Sequence, residues 1–212
     1  MENLKHLLYN YLVSHGISEN VAAYSNMIVL LIIVTPLVLL IDFIVRKILL
    51  QAFTRYARRS RSNFDNFLVR NKAPRNIAHI IPLLVALKLV PIVFTDFQNF
   101  ESIVETGLQL FSIVLLLWIV RSVLNTLKDY FKTLPRLKDK PIDSYIQVFM
   151  IFAWVAGFLS AFVLLTGMPL LTFVAAMGAA SAVFLLIFKD TILGFVASIQ
   201  VSINNIVRIG DW

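Results

Sequence analysis

The sequence predicts an all-α polytopic membrane protein with five transmembrane helices. Of its 212 residues, 59% are hydrophobic and 15% are charged, and the mean hydropathy is +0.82. A soluble domain contains only roughly 45–50% apolar residues. Five apolar stretches are each long enough to cross a hydrocarbon core about 30 Å thick. The predicted spans are Ser25–Val45, Ile77–Thr95, Ile103–Val120, Tyr145–Thr166 and Pro169–Phe188.

Residues 1–24 predict a short interfacial helix before the first span. Apolar residues recur there at helical spacing. They are Leu4, Leu7, Leu8, Tyr11 and Leu12. Gly16 is a suitable C-terminal stop, and Ser18 is a suitable N-cap for the helix that enters the first span.

The loops between the spans predict the orientation. Loops 46–76 and 121–144 are strongly basic, whereas the loop between the second and third spans carries Asp96, Glu101 and Glu105 without Lys or Arg. Basic loops stay in the cytoplasm, so the N-terminus is expected on the periplasmic side and the C-terminus in the cytoplasm. The net charge of +7 is explained by this topology, and we expect no nucleic-acid partner.

The sequence lacks the residues that several classes of protein require for their function. The chain has no Cys, and its three His have no partner at ligand spacing, so no metal or other cofactor is predicted. The spans hold almost no acids, which argues against an ion-coupled carrier. No hydrolase, zinc-protease or nucleotide-binding motif is present, so we expect no enzyme.

The end of the first span is basic and allows two interpretations. In one interpretation, the segment forms an ordinary cytoplasmic helical hairpin that follows the positive-inside rule. In the other, its basic side chains bind anionic lipid head groups. The lipid-facing candidates are Arg46, Lys47, Arg55, Arg58 and Arg59. Asp42 and Arg46 are spaced to pair at i,i+4.

The fifth span, residues 169–189, divides into a small-residue face and a bulky face. At about 100° per residue, Ala175, Gly178, Ala182 and Lys189 fall within about 60° of one another, and Leu185 lies about 20° to the side of Gly178. The bulky side chains share the other face. They are Phe173, Met177, Phe184, Ile187 and Phe188.

Two interpretations of the small-residue face remain open. Small residues at three- and four-residue spacing are typical of close helix–helix interfaces in membranes. Lys189 on the same face favours contact with water instead. Since one helix cannot enclose water, a pore would require a cyclic homo-oligomer, in which leucines form an apolar constriction.

The segment after Phe188 is too long to continue a straight span. Asp190 is a favourable N-cap, so we expect a kink at Lys189–Asp190 with Gly194 close behind it. Residues 190–205 are then expected to form an amphipathic helix along the inner membrane surface.

Residues 177–212, "MGAASAVFLLIFKDTILGFVASIQVSINNIVRIGDW", closely resemble the pore region of the small-conductance mechanosensitive channel family, MscS, in its longer bacterial branch with five spans. The resemblance implies a homoheptamer in the bacterial inner membrane that releases ions and small osmolytes during hypo-osmotic shock. It also implies that residues 25–168 form a lipid-facing sensor paddle. Residues 206–212 would begin a cytoplasmic β domain, so we expect the chain to be part of a longer protein.

The resemblance also assigns roles within the pore helix. Ala182 and Leu186 match pore-constricting positions, and Gly178, Ser181 and Leu185 match positions that pack against a neighbour's Ala175, Ala179 and Val183. Leu185 and Asp190 stand where the family usually has glycine. The helical wheel favours Leu185 as the gate and the resemblance favours Leu186, so both are kept. A carrier, or an oligomeric scaffold without a conducting pore, is the alternative.

Overall fold

The computed structural model describes residues 7–59, 63–135, 137 and 140–203, and this part of the chain is built from helices joined by short turns. The helices are α1 Leu7–Ser14, α2 Glu19–Arg59, α3 Asn63–Arg70, α4 Ala73–Ala78, α5 Ile80–Val93, α6 Gln98–Phe131, α7 Ile142–Thr166 and α8 Leu170–Ile203. Five helical segments are long and apolar enough to cross a membrane, with α4 and α5 together forming the second. The prediction of a five-span membrane protein is therefore confirmed at this level.

Helix α1 ends as the sequence predicts. Gly16 has φ +83°, the left-handed conformation that glycine adopts without strain. The Gly16 amide donates to the Val13 carbonyl at 3.0 Å, and the Ile17 amide donates to the Leu12 carbonyl at 3.2 Å. These two bonds form a Schellman motif, which satisfies carbonyls that the helix end leaves free. Helix α2 begins directly after Ser18, also as expected.

The helices are longer than the predicted membrane spans. Helix α2 continues to Arg59, into the predicted loop 46–76, and α6 continues to Phe131, into the predicted loop 121–144. Neither extension contains Gly or Pro. Arg, Lys, Leu and Gln have high helix propensity, so a run of charge ends the apolar stretch without ending the helix.

The second span is interrupted at His79, between α4 and α5. Pro82 has no amide hydrogen, so it cannot donate to the carbonyl of Ala78 one turn earlier. The His79 amide donates to the Asn76 carbonyl at 3.3 Å. This bond spans three residues, so the turn at His79 is tighter than an α-helical turn. The side chain of His79 is consequently placed at a bend in the span.

The chain divides after Leu165 into two compact units. The core of the first unit is centred on Val90, Val93 and Phe94. Partly buried residues of α2 and α6 pack against it: Met27, Leu30, Val34, Val104 and Leu108. The first unit is thus organised around α5, with α2 and α6 packed against it.

Polar contacts join α4 and the turn between α3 and α4 to the basic half of α6. The amide Nδ2 of Asn76 donates to Ser122 Oγ at 2.6 Å, and that of Asn71 donates to Asp129 Oδ2 at 2.9 Å. Ser122 and Thr126 are both buried. Because buried polar groups require partners, these contacts specify how α6 packs in this region.

Gly157 on α7 packs closely against Leu117 on α6. A Cβ added at Gly157 would lie 2.8 Å from Leu117 Cδ1, closer than real Cβ atoms approach. Two ion pairs join the same helices at their basic ends, from Lys132 Nζ and Lys128 Nζ to Asp143, at 2.5 Å and 3.4 Å. The Gly157–Leu117 contact and the Asp143 ion pairs therefore join α6 and α7 at two levels.

Replacing Gly157 with leucine is expected to destabilise the first unit by about 1–3 kcal/mol, because overpacking forces neighbouring side chains and backbone to shift. The thermal unfolding midpoint in detergent measures the effect. Gly107→Leu is the matched control, since a Cβ at Gly107 meets nothing within 4 Å. Equal midpoints for the two variants would contradict the close packing at Gly157.

Candidate pore helix

The predicted pore-lining, packing and kink residues all lie on α8. From Leu170 to Gln200, every residue is exposed except Phe173, which is half-buried. The exposed set includes the predicted pore-lining and packing residues: Ala175, Gly178, Ala179, Ser181, Ala182, Val183, Leu185, Leu186 and Lys189.

The two faces of α8 keep the predicted division. A Cβ added at Gly178 meets nothing within 4 Å, so the small-residue face is open there. On the bulky face, the rings of Phe184 and Phe188 are stacked, with centroids 6.4 Å apart and planes 7° apart. The shape of α8 therefore differs between the faces: one permits close approach of another helix, and the other presents large side chains.

Both candidate gate leucines project from the helix. Leu185 is 66% exposed and Leu186 is 74% exposed. They are adjacent in sequence and so about 100° apart around the axis. Each can point toward a symmetry axis if the assembled helix rotates by a fraction of a turn, so both remain candidates for the constriction.

Helix α8 is not interrupted at the predicted kink. Lys189, Asp190 and Gly194 all lie inside α8, which is uninterrupted from Leu170 to Ile203, so Asp190 does not cap a new helix. The segment between Lys189 and Gly194 contains no proline, and an interior glycine costs only about 1 kcal/mol relative to alanine. Local helix propensity is therefore sufficient to continue α8 across residues 189–194. The predicted β segment at 206–212 lies outside the described residues.

The predicted lipid-facing cations are spread around α2. Arg55 and Arg58 line one open groove of 440 Å³ together with Leu50, Gln51 and Thr54. Arg46 lies about 180° away from Arg55 around the helix, and Lys47 lies between them. Arg59 is the last residue of α2. The structure thus brings Arg55 and Arg58 together but places Arg46 on a different side.

Asp42 and His79 form a polar pair that the sequence did not predict. His79 Nδ1 lies 2.6 Å from Asp42 Oδ1, with the side chains 28% and 21% exposed. The partner of Asp42 is therefore a histidine on the next span, and the expected Asp42–Arg46 pair is absent from the described contacts. The two residues are 37 positions apart. The available signal was that both lie near the basic ends of antiparallel neighbouring spans.

Comparison with known proteins adds no identification. No protein-family model matches the chain, and no solved structure matches it. The resemblance in residues 177–212 therefore stands on the sequence motifs themselves.

Proposed function

We propose that the protein is a mechanosensitive ion channel of the MscS type, opened by membrane tension. The observation that supports this most strongly is the exposed small-residue face of α8, which ends at Lys189. On a single helix, nothing packs against these small side chains. Several copies of the helix can pack closely against one another around a symmetry axis, because small side chains permit close approach. The family resemblance favours seven copies.

In the proposed closed state, one ring of leucines narrows the pore. Leu185 or Leu186 supplies this ring, and Ala182 lines the pore about one turn earlier. A narrow apolar ring excludes water and so blocks ions without a physical plug. Conduction then requires only that the ring widens enough to wet.

Membrane tension supplies the driving force in this proposal. Tension favours the state that occupies more membrane area, by the product of tension and area gained. The first four spans would follow the bilayer as a lipid-facing paddle and draw the pore helices apart. A difference in free energy between two states is sufficient to shift their populations.

The proposed permeants are ions and small osmolytes. Lys189 and Asp190 carry opposite charges at adjacent positions, so a ring of both predicts weak selectivity between anions and cations. The proposed location is the bacterial inner membrane, with the N-terminus in the periplasm, as the basic loops indicate.

Patch-clamp recording of the protein reconstituted in liposomes tests the proposal. We expect stepwise currents that appear under suction and disappear when suction is released. Empty liposomes made from the same lipid are the control. A lack of current up to the tension that ruptures the patch would contradict the proposal and favour an oligomeric scaffold.

A further inference from the structure

Helix α5 carries a lysine on its free face, inside the second membrane span. Lys88 is exposed, and so are Leu84 and Pro91, which precede and follow it at helical spacing on the same face. Within the part of the chain that the structure describes, Lys88 forms no hydrogen bond or ion pair. Ionisable residues inside a membrane are rarely left facing lipid, and they commonly pair with one another. The free face of α5 is therefore expected to be covered by a partner that brings an acidic group.

Helix α6 carries an acidic residue at a similar depth in the membrane. Lys88 lies five residues before the end of α5 at Val93, and Glu105 lies seven residues after the start of α6 at Gln98. At 1.5 Å per residue, the two positions are about 8 Å and about 10 Å from the connection between these helices. The long side chain of lysine spans so small a difference, so the two charges are matched in depth.

The carboxylate of Glu105 is oriented by its neighbour and keeps one oxygen for a further donor. Gln109 Nε2 donates to Glu105 Oε1 at 3.1 Å. Glu105 is half-buried, and its Oε2 has no hydrogen-bond partner among the described residues. Ser112 continues the same face of α6 one turn further along. This face of α6 is thus a polar stripe inside the third span, with an acceptor that a cation can reach.

The two charges lie on different sides of one first unit. Val90 on α5 and Val104 on α6 both pack in the core. Lys88 lies about 160° around α5 from Val90, so it points away from the core, whereas Glu105 lies about 100° around α6 from Val104. Opposite charges that match in depth but not in direction are complementary between two copies of the chain. Such a head-to-tail contact closes into a ring, because each copy offers one surface to each neighbour.

We propose that α5 of one copy docks on α6 of a second copy of the chain, with Lys88 Nζ donating to Glu105 Oε2. The contact lies in the half of the membrane nearest the α5–α6 connection, where hydrogen bonds between charged groups are among the strong ones. Each copy gives Lys88 to one neighbour and Glu105 to the other. The proposal rests on the self-association contained in the proposed function, but it does not require α8 to conduct ions.

Carbodiimide cross-linking of the wild-type protein in membranes tests the proposal. A lipid-soluble carbodiimide activates a carboxyl group inside the membrane, and an amine in contact with that group then forms an amide bond. We expect a denaturing gel to show bands at the mass of the dimer and above. Mass spectrometry of the digested bands is expected to identify a peptide that links Lys88 to Glu105.

Variants separate this contact from other cross-links. Lys88→Gln and Glu105→Gln are each expected to remove the dimer and higher bands, whereas Glu101→Gln, one turn nearer the start of α6, leaves them unchanged. The double variant Lys88→Glu with Glu105→Lys restores both charges in exchanged places and is expected to restore the bands. Co-expression of the two single Gln variants is expected to give dimers, since one chain then supplies the lysine and the other the glutamate.

Three results would overturn the proposal. One is a wild-type oligomer by native mass spectrometry that gives no Lys88–Glu105 link between chains, as expected if Lys88 instead reaches a lipid phosphate. The second is a Lys88–Glu105 link found only at the monomer mass, which would place the pair within one chain. The third is a protein that is monomeric in native mass spectrometry, and this result would also contradict the oligomer in the proposed function. Because the wild type alone decides all three, the outcome does not depend on the folding of a variant.

Discussion

Replacing Leu186 with serine is expected to lower the membrane tension at which the channel opens. In the proposed closed state, the leucine ring holds the pore dry, and a hydroxyl at each position of the ring favours water instead. Burying a leucine side chain is worth about 1.5–3 kcal/mol, and the substitution is repeated in every subunit. The effect is therefore large, and we expect openings at a small fraction of the wild-type tension. Patch-clamp recording under graded suction measures it.

Two further variants complete the Leu186 experiment. Ile187→Ser is the matched control, because Ile187 is also well exposed on the single chain, at 66% against 74% for Leu186, but lies on the bulky face of α8. Leu185→Ser decides between the two candidate gates. A lowered threshold for Leu185→Ser with an unchanged threshold for Leu186→Ser would assign the gate to Leu185. Unchanged thresholds for both would contradict a leucine gate.

Replacing Gly178 with leucine is expected to prevent assembly of the oligomer and abolish the tension-activated current. A Cβ at Gly178 meets nothing within 4 Å in the single chain, so the folding of one subunit does not require glycine there. In the proposed ring, Gly178 faces the neighbouring pore helix, where a leucine side chain would hold the helices apart. Native mass spectrometry gives the number of subunits, and patch-clamp recording gives the current.

Gly107→Leu serves again as the control for Gly178→Leu. Gly107 is also an exposed helical glycine with open space beside its Cα, but it lies on α6 in the first unit. We expect its oligomer and current to match the wild type. An intact oligomer with normal current in Gly178→Leu would show that the small-residue face does not mediate assembly.

The five spans could be predicted because they depend on a local property. An apolar stretch of membrane length has one stable arrangement in lipid, with its backbone hydrogen bonds closed inside a helix. The stop at Gly16 was likewise local, since a left-handed residue after a helix favours glycine. The ends of α2 and α6 were not predicted, because basic residues end the apolar stretch but have high helix propensity. The helices therefore extend beyond the membrane spans.

Contacts between distant residues could not be predicted. The Asp42–His79 pair and the Asn76–Ser122 bond join residues that no sequence pattern relates, and they form only once neighbouring helices pack. The new helix expected to begin at Asp190 is absent for a local reason. Its residues permit an N-cap but do not break a helix, so sequence alone does not interrupt α8.

Cysteine accessibility tests whether the small-residue face of α8 lines a water-filled path. The chain contains no Cys, so a single introduced thiol is the only target for a water-soluble thiol reagent. Ala182→Cys lies on the small-residue face, and Phe184→Cys lies on the bulky face. The reagent is applied during patch-clamp recording while tension holds the channel open.

We predict that the reagent rapidly reduces the current of Ala182→Cys and leaves the current of Phe184→Cys unchanged. The reason is that a charged adduct in the pore obstructs ions, whereas a thiol facing lipid meets no water-soluble reagent. Equal reduction in both variants, or reduction in Phe184→Cys alone, would contradict a water-filled path along the small-residue face.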